Sequence, residues 1–194
     1  RALGPTDSSA LTDPTGGFKL YAASGPLIMY GGTDISTGLA FQVQYEAPAG
    51  YKVVNPITSV IRALERNGSA LSDTEAEAAS LLRNALFGAG AGPSSFASYD
   101  PFAAATARGA SPSDISDAIK YQRAAAMIAA TVDMTSDALV SLGVVADQRA
   151  GSVKVFEAIA AQLVAGVTHG SLLAGLGDLE GDRHLAWRKR DLRE

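Results

Sequence analysis

The chain has two histidines, His169 and His184, and no cysteine. A zinc site needs three or four converging ligands. Without thiolates these would have to be carboxylates drawn from distant segments, so both imidazoles read as structural or solvated. Ser24, in Ser-Gly-Pro, and Ser152, in Gly-Ser-Val, lack the G-x-S-x-G elbow that exposes a nucleophilic hydroxyl. Ser116 and Lys120 are one residue too far apart for a Ser-x-x-Lys pair. These serines read as caps and turns. Paired carboxylates run glycosidic chemistry. Glu75 and Glu77 are two apart and share no helix face, whereas Asp114 and Asp117, at i and i+3, do. Both pairs fall where helices are expected to begin, and acidic groups there complement the helix dipole. Gly88 to Pro93 has no Lys-Ser/Thr to touch a phosphate and reads as a linker. Calcium, which takes six to eight oxygen ligands, is the one metal the residues leave open. Asp13 and Asp34 lie in Gly-rich turns whose carbonyls can converge, although an Asp so placed also bonds its own backbone.

Composition narrows the function classes. The 194 residues carry 16 Lys+Arg against 20 Asp+Glu, a net charge of −4, which is the wrong sign for a general nucleic-acid surface. The missing cysteines exclude disulfide scaffolds, Cys-ligated zinc and thiol nucleophiles. No uncharged apolar run reaches about 18 residues, so no membrane span is expected. The first residue is Arg1, with no signal-peptide pattern after it. The chain is therefore expected to be a processed form or a piece of something longer.

The elements that must position these groups change character near Asn55. Residues 1–55 hold 7 of the alanines and the remainder holds 29. Alanine loses no side-chain entropy in a helix, so the second part is expected to be helical. The first part reads as four short strands between turns: Phe18–Ala22, Leu27–Tyr30, Leu39–Glu46 and Tyr51–Val54. Asn55-Pro56 opens the first helix, with Ile57, Val60, Ile61 and Leu64 at helical spacing and Asn67-Gly68 ending it. Ser72-Asp73-Thr74-Glu75 reads as a capping box for the second, which Gly88 stops. Asp100-Pro101 starts a short third helix. Ser111-Pro112 starts a long fourth, with Ile115, Ala118, Ile119, Gln122, Ala126, Ala129 and Val132 as its inward stripe. That helix either continues past Thr135-Ser136 or breaks there. Gly151-Ser152 begins the last, with Val153, Phe156, Ala160, Leu163 and Val167 inward. Residues 168–194 hold five basic and five acidic side chains, and the basic stretch 183–190 surrounds the only Trp. This part reads as a terminal helix or solvated tail.

Several short motifs occur in a set order: Thr12-Asp13-Pro14-Thr15-Gly16-Gly17-Phe18-Lys19-Leu20, Gly31 to Gly38, Ala47-Pro48-Ala49-Gly50, and Val54-Asn55-Pro56-Ile57-Thr58-Ser59-Val60. The succession resembles a segment of large exported bacterial proteins, the RTX-type calcium-binding exoproteins and surface adhesins. In these a small prealbumin-like β-module leads into an Ala-rich helical part. The likeness covers residues 10–167. It implies a secreted or cell-surface location, a structural or adhesive role and calcium as cofactor, with Asp13 and Asp34 as the candidate ligands. The chain departs from that pattern in two places. Arg1 to Leu11 carries only Asp7 where the family has an Asp/Asn-rich loop, and the tail after His169 has no counterpart.

The expected architecture is therefore α+β. A small antiparallel β-module over 1–55 feeds an Ala-rich helical bundle over 56–167, and 168–194 follow as a C-terminal helix or tail. The expected function is that of a non-catalytic structural or adhesive module, possessing exposed β edges that pair with neighbouring domains or other protein chains. The alternative is a carbohydrate-binding module that stacks sugars on exposed Tyr21, Tyr30, Tyr45 and Tyr51.

Overall fold

The computed structural model describes residues 8–14, 16–20, 24–34 and 38–169. Two strands, β1 (Leu27–Tyr30) and β2 (Gln44–Ala47), precede five helices: α1 (Pro56–Asn67), α2 (Glu75–Phe87), α3 (Pro101–Thr106), α4 (Pro112–Ser141) and α5 (Gln148–His169). The α+β class follows directly. The expected set of strands is reduced to a single hairpin, in which Leu27 pairs with Ala47 and Tyr30 with Gln44. Beyond Tyr30 the hairpin continues through the bridge of Thr33 with Ala40. The pairing slips by one residue across Gly31 and Gly32, whose φ values of 73° and 89° suit glycine. Residues 18–20 form no strand, and 21–23 lie outside the described residues. Tyr51–Val54 forms none either. The Tyr51 N–H closes a turn onto the Pro48 carbonyl, and the Lys52 N–H reaches the Ala97 carbonyl in a distant loop.

Each helix start has a local cause. Asn55 caps α1 and exchanges hydrogen bonds with Thr58, and Pro56 follows at the first helical position. The box of α2 is Thr74 with Glu77, two residues after the expected pair. Ser72, taken in the sequence for the cap, is buried and donates its hydroxyl to the Leu64 carbonyl at 2.9 Å. Asp100 caps α3, and Ser111 with Asp114 caps α4. Helix α4 runs unbroken through Ser136 to Ser141. Helix α5 begins at Gln148, because the Asp147 carboxylate accepts the Ala150 N–H at 2.7 Å; Gly151-Ser152 lies inside the helix.

One core joins hairpin and helices. Ile57, Val60, Ile61 and Leu64 of α1 are fully buried at its centre, against α2, α4, α5 and β2. From α4 it takes Tyr121 and Val132, and from α5 Val155, Phe156 and Ala160. Of the stripe expected on α4, Ala118 and Val132 face inward, joined by Tyr121 and Ser136, while Ile115, Ile119 and Ala126 are exposed. Where α4 and α5 cross, glycine is required. A Cβ on Gly151 would lie 2.8 Å from the Ser136 Cβ and 3.1 Å from its Cα.

An aromatic row holds the loop between α2 and α3 in place. Phe87, Phe96, Tyr121 and Tyr99 follow one another with ring centroids 6.5, 6.1 and 5.0 Å apart. Burial pushes the Tyr121 and Tyr45 phenols up to about 12 from 10.0, and Asp133 and Asp34 add to the rise at Tyr45. Burial, then the hydrogen bond to Glu75, raises Tyr51 further. All three shifts point the same way. A raised phenol holds its proton longer in the folded state, so its stabilisation is complete below pH 10 and is lost as pH climbs through about 12. The thermal midpoint is expected to stay level from pH 7 to 9 and to fall steeply above pH 10. The ultraviolet absorption of tyrosinate should rise together with unfolding.

Candidate functional site

The hairpin carries the most specific chemistry in the fold, at its backbone. In an antiparallel strand the N–H and C=O of one residue point to the same side, and successive residues alternate. The Gln44 N–H donates to the Ser152 hydroxyl of α5 at 2.9 Å. The Glu46 N–H donates to the Ser59 hydroxyl of α1 at 2.8 Å, and its carbonyl accepts the Thr58 hydroxyl at 2.9 Å. One edge of β2 is thus closed by side-chain hydroxyls from two helices rather than by another strand. Tyr45 and Ala47 must then bond β1 through Met29 and Leu27, which leaves the N–H and C=O of Ile28 and Tyr30 pointing outward. Among the described residues nothing pairs with that edge. Both side chains are about half exposed, at 46% and 48%. Among the described residues an unpaired edge is thus found on β1 and not on β2.

A polar relay braces the hairpin against the bundle. The Arg66 guanidinium meets Glu46 Oε2 at 2.6 Å, and Glu46 is buried. Gln44 Nε2 donates to Glu46 Oε1 at 2.6 Å, and Arg149 Nε donates to Gln44 Oε1 at 2.6 Å. The Arg149 guanidinium then lies 3.8 Å from the centre of the Tyr30 ring. One connected line runs from α1 through β2 to α5 and back to β1. Buried polar groups that are all partnered in this way hold a single geometry. Removing a partner exposes the cost. Ser59→Ala leaves the buried Glu46 N–H without an acceptor, and we expect a loss of about 1–3 kcal/mol in urea denaturation. Ser59→Thr, which retains the hydroxyl, should recover part of it.

The sequence-derived candidates fall elsewhere. The Asp13 carboxylate accepts the Gly17 N–H at 2.8 Å, and its carbonyl accepts the Gly16 N–H at 2.9 Å, so its turn is closed by its own backbone. Asp34 stands at the base of the hairpin tip, where its N–H reaches the Leu39 carbonyl and its carbonyl accepts the Gly38 N–H. Among the described residues no group of three or more His, Asp or Glu gathers at metal-binding distance. His184 lies outside the described residues. The proposed tyrosine platform is not assembled. Tyr51 is buried and bonds Glu75. Tyr45 packs edge-on against Phe41 and Phe156. Tyr30 is covered on one face by Arg149. Tyr21 lies outside the described residues. No helix among the described residues is long and apolar enough to cross a membrane.

An open cleft of about 330 Å³ at the start of α4 does collect titratable groups, including Tyr99, Arg108, Asp114 and Asp117. A general acid needs a raised carboxyl. Asp114 is shifted the opposite way, held down by hydrogen bonds from the Ser111 hydroxyl and N–H. Asp117 accepts the Gly92 N–H at 3.1 Å. Both carboxylates are employed in holding the cleft's walls. Comparison of the chain with protein-family models, with curated proteins and with solved structures gives no match. The reading of this protein therefore rests on the geometry just described. The strand edge was foreseen from sequence. The closing hydroxyls were not, although Thr58, Ser59 and Ser152 sit among apolar core positions, which is the signal of a buried hydrogen bond.

Proposed function

We propose that the chain is a non-catalytic structural or adhesive module, of the kind built into exported bacterial surface proteins. It joins neighbouring protein segments by accepting an extended strand on the outer edge of β1. The observation that carries this reading is the asymmetry of the hairpin. The β2 edge is closed by Thr58, Ser59 and Ser152, whereas the outward main-chain donors and acceptors of Ile28 and Tyr30 meet no partner among the described residues. The relay through Glu46 and Arg149 holds that edge in place before a partner arrives, which lowers the ordering cost of binding. Main-chain bonds would supply affinity in such a contact, and the half-exposed side chains of Ile28 and Tyr30 selectivity.

The test is a screen of extended decapeptides of alternating apolar and polar residues by fluorescence polarisation. Ile28→Pro removes one outward N–H and spares every bond to β2. Binders are expected to lose about tenfold or more in affinity to this variant, while its melting midpoint changes little. Binding that survives Ile28→Pro unchanged would overturn the reading. Melting in chelator and in millimolar calcium checks the cofactor implied by Asp13 and Asp34, since a ligand bound only by the folded state raises the midpoint.

A further inference from the structure

Residues directly opposite one another in a sheet present their side chains on the same face. Tyr30 pairs with Gln44 and Ile28 with Glu46, so these four share one face of the hairpin. Two arginines reach that face from the helices, and their charges are treated differently. Arg66 is neutralised by Glu46 at 2.6 Å. Arg149 is not neutralised: its Nε donates to the Gln44 Oε1, a neutral amide oxygen, and its guanidinium lies 3.8 Å from the centre of the Tyr30 ring. A guanidinium has five N–H donors. Only the one on Nε is used, and the four on the terminal nitrogens of Arg149 meet no acceptor among the described residues. This cation is half-buried and held in place, and it stands over a residue of the open β1 edge, in a chain whose net charge is −4.

We propose that the segment added along β1 carries an acidic side chain opposite Tyr30, and that the terminal nitrogens of Arg149 hold its carboxylate. This inference rests on strand addition at β1 and names the chemistry of the added segment. Charge complementarity selects the acid. The planar fork of arginine matches a carboxylate through two parallel hydrogen bonds, which a neutral amide cannot match in strength. The Tyr30 ring and the Gln44 amide fix the guanidinium beforehand, so less freedom is lost when the carboxylate arrives. The strand period then gives a spacing. Side chains two apart lie on one face, so the residue two positions from the acid stands opposite Ile28 and is apolar. The recognised pattern is acid-x-apolar in an antiparallel segment and apolar-x-acid in a parallel one.

Two labelled decapeptides test the proposal by fluorescence polarisation. Both alternate threonine and valine, and both have blocked termini, so that only a side chain can supply a carboxylate. One central valine is replaced by glutamate in the first and by glutamine in the second. The protein is expected to bind the glutamate peptide about five- to tenfold more tightly. Added salt should narrow the ratio. Arg149→Met should abolish it, and Arg149→Lys should keep part of it. Because the ratio is taken within each variant, a lowered melting midpoint in Arg149→Met does not disturb the comparison while that variant remains folded. Equal binding of the two peptides overturns this inference, and strand addition still stands if Ile28→Pro weakens both. A glutamate preference that survives Arg149→Met also overturns it, because another cation then reads the carboxylate. If neither peptide binds, or Ile28→Pro leaves both unchanged, strand addition itself falls and this inference falls with it.

Discussion

Phe156→Ala is expected to destabilise the protein by about 3–5 kcal/mol, and to do so unevenly. Phe156 is 2% exposed and belongs to the central core. It is also the helical residue against which Tyr45 packs, ring centroids 6.0 Å apart at 73°. Tyr45 in turn meets Phe41 at 5.2 Å, so one ring of α5 anchors two rings of the hairpin. A two-stranded hairpin is marginal on its own, and its order depends on such anchors. Urea denaturation should register the global loss. Amide exchange should show the bonds between β1 and β2 opening well before those of α1, whose core of Ile57, Val60, Ile61 and Leu64 loses less. Equal acceleration in hairpin and α1 would show that the two unfold as one unit and would refute the unevenness.

The second large effect lies at the crossing of α4 and α5. Gly151→Ala adds a Cβ that would stand 2.8 Å from the Ser136 Cβ and 3.1 Å from its Cα, and the latter is backbone that cannot turn aside. Alanine gains up to about 1 kcal/mol over glycine in a helix interior. Overpacking costs about 1–3 kcal/mol and falls on two long helices at once. The net result is expected to be a loss of about 1–2 kcal/mol. The diagnostic is the double variant. Ser136→Gly alone should destabilise, since it removes the Ser136 Cβ and introduces glycine into α4, yet combined with Gly151→Ala it should cost clearly less than the sum. Additive costs in thermal melts would locate the strain elsewhere.

How far the fold is legible in the sequence depends on whether a local cause stands alone. Asn55-Pro56, Asp100-Pro101 and Ser111-Pro112 each combine a cap with a proline, and each starts a helix where expected. Thr74 and Ser72 show the opposite case. Two hydroxyl residues compete for one cap, and tertiary burial takes Ser72 for the Leu64 carbonyl. Gly151 reads as a break because glycine usually is one; only the neighbouring helix explains its place inside α5. The inward stripe of α4 is misread because both sides of the helix are apolar. Ala118 and Val132 are assigned correctly, but the large side chains at Ile115 and Ile119 attract the rest of the assignment, while the core takes Tyr121 and Ser136. Tyr51–Val54 alternates like a strand but has no partner strand among the described residues, and its backbone goes to a turn and to Ala97. Of the candidate site, the presence of an edge was readable. The hydroxyls closing its other side come from residues 12 to 108 positions away, beyond the reach of any local pattern.

The three hydroxyls along β2 decide the arithmetic of any assembly built on this hairpin. A sheet with two free borders can add units at both, and nothing then limits the length of the stack. Here Ser59 and Ser152 occupy one border for good. Each molecule therefore has a valence of at most one through its sheet, so two molecules meeting border to border would exhaust each other. Growth into a fibre by this route is forbidden by two serines and a threonine.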